Sequence, residues 1–542
     1  MIKLLEKYPL QSLLVVSGLI FLVNLDVIYV NIMEARNFVT AREMLTENNW
    51  ILTTMNDYPR YAKPPLPTWL TAFSAGVFGV HNLFGLRLTA ALSAIMLAYF
   101  VYNIALLIRS NTRFALYSGL ILITSFYIVF AGRNGQWDIY THSFMAGAIY
   151  FSLKLFLEKN RVFIYALAAS LFFAASILSK GPVSLYALWL PFLLAVLVVY
   201  RKDIPAKKWK PFIGLLISGI VIGVSWYVYV RIADPVTFVK ITSKETANWS
   251  SYNVRPFWYY WSFFTQSGMW TLPAFIALLY PYMKNRVQDL KSYRFTLFWT
   301  LFSVILLSVI PEKKSRYLLP VLIPMAINTA FYIEYLVESF KNSATVKEKL
   351  PVYLHFGLLA LIGLAFPIGG YWMFGDKLKG YEGWFAAASL LLFILGTGFV
   401  YYVYKRELKQ LFYLSILLIA AIVCFVLPLS HMLYSNPQFN NINTYEQKAE
   451  IRYSYGEPAP EMIWHLGHTA PDITKMENGP DAQGKDFTVL VGPELEDEFK
   501  RIFAEEYSME LLETFDINYT ASPGDSNYKD RLVSKYYLLK KK

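Results

Sequence analysis

Residues 383–430, GWFAAASLLLFILGTGFVYYVYKRELKQLFYLSILLIAAIVCFVLPLS, hold two apolar runs of about twenty residues parted by the short basic segment KRELK. Coiled as a helix, such a run matches the hydrocarbon core of a bilayer, about 30 Å thick, and so few intervening residues suffice only to turn back. The stretch reads as two antiparallel membrane spans. The pattern recurs toward the N-terminus, near 11–32, 84–108, 114–131, 139–157, 162–179, 183–200, 211–230, 267–283, 295–310, 318–337 and 352–375, so about 13 transmembrane helices are predicted. The first run is too long for a signal-peptide core and lacks a small-residue cleavage site, so it is expected to remain as an anchor. Composition agrees: 16% of the 542 residues are charged, against about 25% in soluble domains, which excludes a purely soluble protein.

The formal net charge of +12 invites a nucleic-acid reading, but it is unevenly divided. Up to residue 430 there are 38 Lys+Arg against 19 Asp+Glu; from 431 onward there are 12 against 19. Positive charge between apolar runs reads as membrane orientation, and no nucleic-acid partner is expected. The alternate connections beginning with 1–10 carry 21 Lys+Arg in 54 residues, and the opposite set 15 in 85. The denser set is expected to face the cytoplasm, as is the N-terminus, with the tail 431–542 on the outer face of a plasma (inner) membrane. Cys424, the single cysteine, lies within an apolar run and can form no intrachain disulfide.

The expected fold is a polytopic α-helical membrane domain over 1–430, with outer loops 33–83 and 231–266, and a small soluble α/β domain over 431–542. In the tail, FTVLVG (487–492) reads as a buried strand, ELEDEFKRIFAEEY (494–507) as a helix burying Phe499, Ile502 and Phe503, and YYLLKK (536–541) as a closing strand.

The inner connections are short and basic, whereas the outer ones carry acids, aromatics and prolines. A functional site is therefore expected on the outer face. Residues 33–46 fit an amphipathic helix lying in the membrane interface, with Phe38, Ala41, Met44 and Leu45 on its buried side and Glu34 and Arg36 near the first span. Glu34 either caps that helix, pairs with Arg36, or serves chemistry at the membrane edge. In YPRYAKPPLPTW (58–69), Arg60, Tyr61 and Lys63 precede prolines that stiffen the approach to the membrane, so the cations anchor to headgroups or bind an anion. Arg133 and Asp138 occupy AGRNGQWDIYTH (131–142), and Lys180 stands at a helix end before Gly181 and Pro182. Arg255 lies beside the aromatic block of YNVRPFWYYWSFF (252–264), either in an aromatic belt or on a greasy wall for a prenyl tail. IPEKKSRYLLPVLIP (310–324) gathers Glu312, Lys313, Lys314, Arg316 and Tyr317; cations clustered on an outer face suit a phosphate.

Together these residues resemble the GT-C class of integral-membrane glycosyltransferases, in the protein O-mannosyltransferase and aminoarabinose transferase (ArnT-like) branch. MEARNFVTAREML (33–45) and RYAKPPLPTWL (60–70) look like that family's first outer loop; Asp138, SKGP (179–182) and RYLLP (316–320) are secondary matches. The resemblance implies a GT-C fold, a polyprenyl-phosphate sugar donor used on the outer face, a first-loop acid near the catalytic centre and a lysine on the lipid phosphate. The acceptor is a lipid, a glycan or a protein. Carried over, the catalytic candidates are Glu34 and Asp138, and the substrate-binding candidates are Arg36, Arg60, Tyr61, Lys63, Arg133, Lys180, Arg255, Arg316 and Tyr317. Met33 replaces the motif's first acid, leaving Glu34 for the role. Ala62 stands where aminoarabinose transferases have a glutamate able to bind metal, and ETANWSSYNVRP (245–256) lacks the partner histidine, so no metal or other cofactor is expected.

A transporter is the rival reading, and it predicts ionisable groups near mid-span in two related halves. A non-catalytic polymer-assembly partner is the other, and it predicts that the outer acids are dispensable.

Overall fold

The computed structural model describes residues 2–343, 345–444, 452–476 and 486–542. Parts of two polar segments of the tail, SNPQFNNINTYEQ (435–447) and TKMENGPDAQGKD (474–486), lie outside them. The chain divides into two compact units: the first comprises Met1–Leu25, Ala62–Pro67 and Arg87–Leu429, the second Asp26–Tyr61, Thr68–Leu86 and Ser430–Lys542.

The chain is a multi-pass helical membrane protein. Among the described residues, eight helices are long and apolar enough to cross a bilayer, from Leu83–Ile108 to Leu408–Leu433, and a ninth span results if the pair Thr112–Ile123 and Phe126–Gly132, bent by 69°, is counted as one. The thirteen apolar runs are not all unbroken helices, because local chemistry interrupts several of them. The first run forms a helix only over Pro9–Leu22, and Asn24 beyond it takes a left-handed backbone, φ 51°. The run near 183–200 divides into a π-helical turn, Leu185–Trp189, and a helix, Leu190–Val199, with a proline in its first turn. The run near 267–283 becomes short helices after Gly268, whose φ is 65°. Helix Trp137–Leu157 has the length of a span, but it carries Asp138, His142 and Lys154, and most of its side chains are buried within the protein.

In the second unit, helix Ile32–Thr46 departs from the expected interfacial helix. Glu34, Asn37, Arg42 and Glu43 are buried along with Phe38 and Met44. Its polar face is covered by protein: Arg42 donates to the carbonyls of Ile463 and His468, both at 3.2 Å, and Asn37 bonds Thr68 and Thr71. Glu43 folds the following loop, accepting from Thr54 Oγ1 and the Asn56 amide at 2.6 Å each, and burial raises its carboxyl pKa. That loop is a hairpin of β1 (Thr54–Met55) and β2 (Tyr58–Pro59). Asn56 and Asp57 between the strands both have positive φ, as a tight hairpin turn requires.

The tail builds a four-stranded sheet from β3 (Tyr453–Tyr455), β4 (Phe487–Val491), β5 (Tyr507–Asp516) and β6 (Val533–Lys541), in the order β3-β4-β6-β5. Among these four strands the β3–β4 pair is parallel and the other two pairs are antiparallel. Strand β4 is buried throughout. The adjoining helix spans Glu496–Phe503, shorter than expected; it buries Phe499 but leaves Ile502 52% exposed.

Candidate active site

The first unit brings several expected residues together through helix ends. Helices Trp137–Leu157 and Val162–Lys180 form a hairpin, so the N-terminus of one and the C-terminus of the other share an end. Asp138 lies in the first turn of the former and Lys180 in the last turn of the latter, each sign favoured by the helix dipole. Lys180 Nζ donates to Asp138 Oδ1 at 2.5 Å, with both side chains buried. Asp138 Oδ2 has no hydrogen-bond partner among the described residues, which leaves one carboxylate oxygen free to accept. Gly181 ends the second helix with φ 68°, and a Cβ there would meet the Tyr227 hydroxyl at 2.7 Å.

Arg316 and Tyr317 enter from the 3-10 turn Ser315–Leu318. Lys180 Nζ stands 5.2 Å from the centre of the Tyr317 ring, whose hydroxyl donates to Glu312 Oε1 at 3.1 Å. Arg316 is within electrostatic range of Asp138, and Lys63 of Lys180. Lys63 itself pairs with Glu245 at 2.9 Å. Two cations, Lys180 and Arg316, are thus collected around Asp138, with Lys63 within range of Lys180, and cations so grouped suit a phosphate.

Two connections are fastened together beside this cluster. The Arg255 amide donates to the Pro311 carbonyl, and the Glu312 and Lys313 amides to the carbonyls of Trp249 and Asn253, each at 3.1 Å. Lys313 Nζ donates to the carbonyls of Arg255 and Ile310. Arg255 itself is exposed, 6.0 Å from the centre of the Tyr259 ring. Arg133 serves the architecture, since its guanidinium donates to the carbonyls of Ile20 and Asn24 and holds the end of the first apolar helix.

The remaining candidates belong to the second unit. Glu34 is fully buried and forms a capping box with Asn31: Asn31 Oδ1 accepts from the Met33 and Glu34 amides, while Glu34 Oε2 accepts from Asn31 Nδ2 at 2.9 Å and the Asn31 amide at 3.3 Å. Arg36 and Arg60 line a cavity of about 430 Å³ with Arg531 from the tail, where Arg531 also holds Glu461 in a bidentate pair at 2.8 Å. Tyr61 is 3% exposed.

Sequence reasoning missed Glu245, Arg531 and His142. Glu245 opens ETANWSSYNVRP, a stretch read only for its missing histidine, and Arg531 lies in a polar segment with no motif of its own. His142 offered a signal, since it stands one helical turn after Asp138; its Nδ1 lies 2.8 Å from Ser184 Oγ.

A family model described as dolichyl-phosphate-mannose-protein mannosyltransferase matches residues 62–227. The chain is 24% identical over 344 residues to the undecaprenyl phosphate-alpha-4-amino-4-deoxy-L-arabinose arabinosyl transferase of Photorhabdus laumondii, covering 61% of this chain and 60% of that protein. It is 26% identical over 334 residues to the enzyme of the same name from Shewanella sediminis, covering 57% and 56%. The match thus spans under two thirds of these relatives' length. The crystal structure of ArnT from Cupriavidus metallidurans bound to undecaprenyl phosphate superposes with a TM-score of 0.66 at 15% identity, over 98% of this chain and 97% of that one. Such agreement along nearly the whole chain establishes the GT-C fold with its small strand-containing C-terminal domain. The chain is thus similar over part of its length to a mannosyltransferase family model and to two arabinosyl transferases, and it shares the fold of ArnT.

Proposed function

We propose that the protein transfers a sugar from a polyprenyl-phosphate donor to a lipid, glycan or protein acceptor on the outer face of the membrane, with the N-terminus cytoplasmic and the tail domain outside. The observation that carries this reading is the gathering of Lys180 and Arg316 around Asp138, with Lys63 within electrostatic range of Lys180. The undecaprenyl phosphate named in the relatives and bound in the solved ArnT structure supports the donor class.

A glycosyl phosphate already carries its leaving group. Catalysis then requires neutralising charge on the departing phosphate and removing one proton from the acceptor hydroxyl. Lys63, Arg255 and Arg316 hold the phosphate. The acceptor oxygen attacks the anomeric carbon, the bond from that carbon to the phosphate oxygen breaks with inversion, and the lipid phosphate leaves with the electron pair. A carboxylate takes the acceptor proton, and Glu34 is the residue that the first-loop resemblance assigns to that step. Asp138, held by Lys180 and with one oxygen open, positions the acceptor beside Tyr317; Arg36, Arg60 and Tyr61 are the substrate-binding candidates of the first loop.

The test is to incubate the purified full chain with defined undecaprenyl-phosphate sugars and membrane extract, and to identify the glycosylated product by mass spectrometry. Lys63→Ala is expected to weaken donor use about ten- to a hundredfold, the worth of one charge-assisted bond to phosphate. No transfer with any donor would remove the reading, and an unchanged Lys63→Ala would return Lys63 to headgroup anchoring. A reporter fused at Lys542 that is active in the cytoplasm would overturn the orientation.

A further inference from the structure

Three lysines in or near the candidate site each face one carboxylate: Lys180 and Asp138, Lys314 and Glu312, Lys63 and Glu245. The acids differ in how firmly they are held. Asp138 is buried against its lysine. Glu312 is mostly buried, accepts from the Tyr317 hydroxyl, and its amide is bonded to Trp249. Glu245 instead projects from helix Pro235–Ser251, which buries none of its residues, and its side chain is 42% exposed against 26% for Lys63. Lys63 is followed by two buried prolines, Pro64 and Pro65, which fix its backbone. The Lys63 backbone is therefore fixed, while the more exposed Glu245 carboxylate can withdraw by side-chain rotation alone.

From this asymmetry we infer that Glu245 is a specificity-determining residue that competes with the donor: its carboxylate occupies Lys63 until the donor's phosphate displaces it, so Glu245 sets donor affinity. The inference rests on Lys63 being a phosphate ligand. A glycosyl phosphodiester carries one negative charge, so exchanging a carboxylate for it keeps the local balance. The other two acids do not exchange in this way, because releasing a buried partner leaves an uncompensated charge, whereas a half-exposed pair is weak.

The experiment is a double-mutant cycle on the full chain in detergent, with undecaprenyl phosphate as probe and tryptophan fluorescence as readout, for the wild type, Glu245→Gln, Lys63→Ala and the double variant. Glu245→Gln is expected to bind about three- to fivefold tighter, the worth of breaking an exposed ion pair, and this gain is expected to vanish in the Lys63→Ala background. Unchanged or weaker binding by Glu245→Gln, with Lys63→Ala still impaired, would overturn the competition and leave the phosphate role of Lys63 standing. An equal gain in both backgrounds would also overturn it, since Glu245 would then act on something other than Lys63. Unimpaired binding by Lys63→Ala would remove the underlying reading.

Discussion

Glu34→Gln separates two roles of one carboxylate, the observed cap and the proposed base. As a cap, Glu34 Oε2 accepts two hydrogen bonds from Asn31, the amide one long at 3.3 Å. Gln retains an oxygen in nearly the same place and loses only the charge at a helix N-terminus, a loss of about 0.3–1 kcal/mol in stability. As general base, Glu34 contributes about 10²–10⁴ in rate, equivalent to roughly 3–5 kcal/mol of barrier. These magnitudes do not overlap, and Asn31→Ala provides the control. It removes the cap at about 0.5–2 kcal/mol and leaves the acid. The assay is single-turnover transfer from a saturating undecaprenyl-phosphate sugar, read by mass spectrometry, with thermal unfolding in parallel. Glu34→Gln should lose turnover by at least about a hundredfold with a small shift in unfolding, while Asn31→Ala keeps most of its turnover. Near wild-type transfer by Glu34→Gln together with loss in Asp138→Asn would assign the base to Asp138. Equal inactivity of Asn31→Ala and Glu34→Gln would show that cap geometry, and not proton transfer, is what matters.

Lys180→Met should destabilise the protein by about 3–5 kcal/mol, because it strands a buried Asp138 carboxylate; adding Asp138→Asn should recover much of that loss in thermal unfolding. In the tail, burial pushes the His465 imidazole down to about 4, and the ring lies within hydrogen-bond distance of Asn441 and Tyr519. Because its folded pKa lies below the unfolded value, the stability it confers is present above about pH 6.5 and is lost as pH falls toward 4; about 2 kcal/mol should go by pH 5, and His465→Asn should flatten that part of the denaturation profile. Activity should persist in excess chelator, and loss restored by one divalent ion would refute the metal-free reading drawn from Ala62.

Membrane character was legible residue by residue, because transfer into a bilayer is nearly additive along a helix and leaves its record in composition and run length. The same holds for strand β4, whose run is apolar but for Thr488 and implies burial on both faces. Local pattern also placed Asp138, Lys180 and Arg316 in connections or at helix ends. It could not say that Asp138 and Lys180 touch, which follows from the antiparallel packing of two helices, nor that Lys63 meets Glu245, 182 residues away. Helix Ile32–Thr46 makes the point most plainly. Its sequence looks half polar and fit for an interface, yet Arg42 and Glu43 are buried because the tail supplies carbonyls to one and the β1–β2 hairpin supplies donors to the other. A polar side chain seeks either water or a partner. Sequence periodicity records only that requirement, and the long-range packing of the chain decides how it is met.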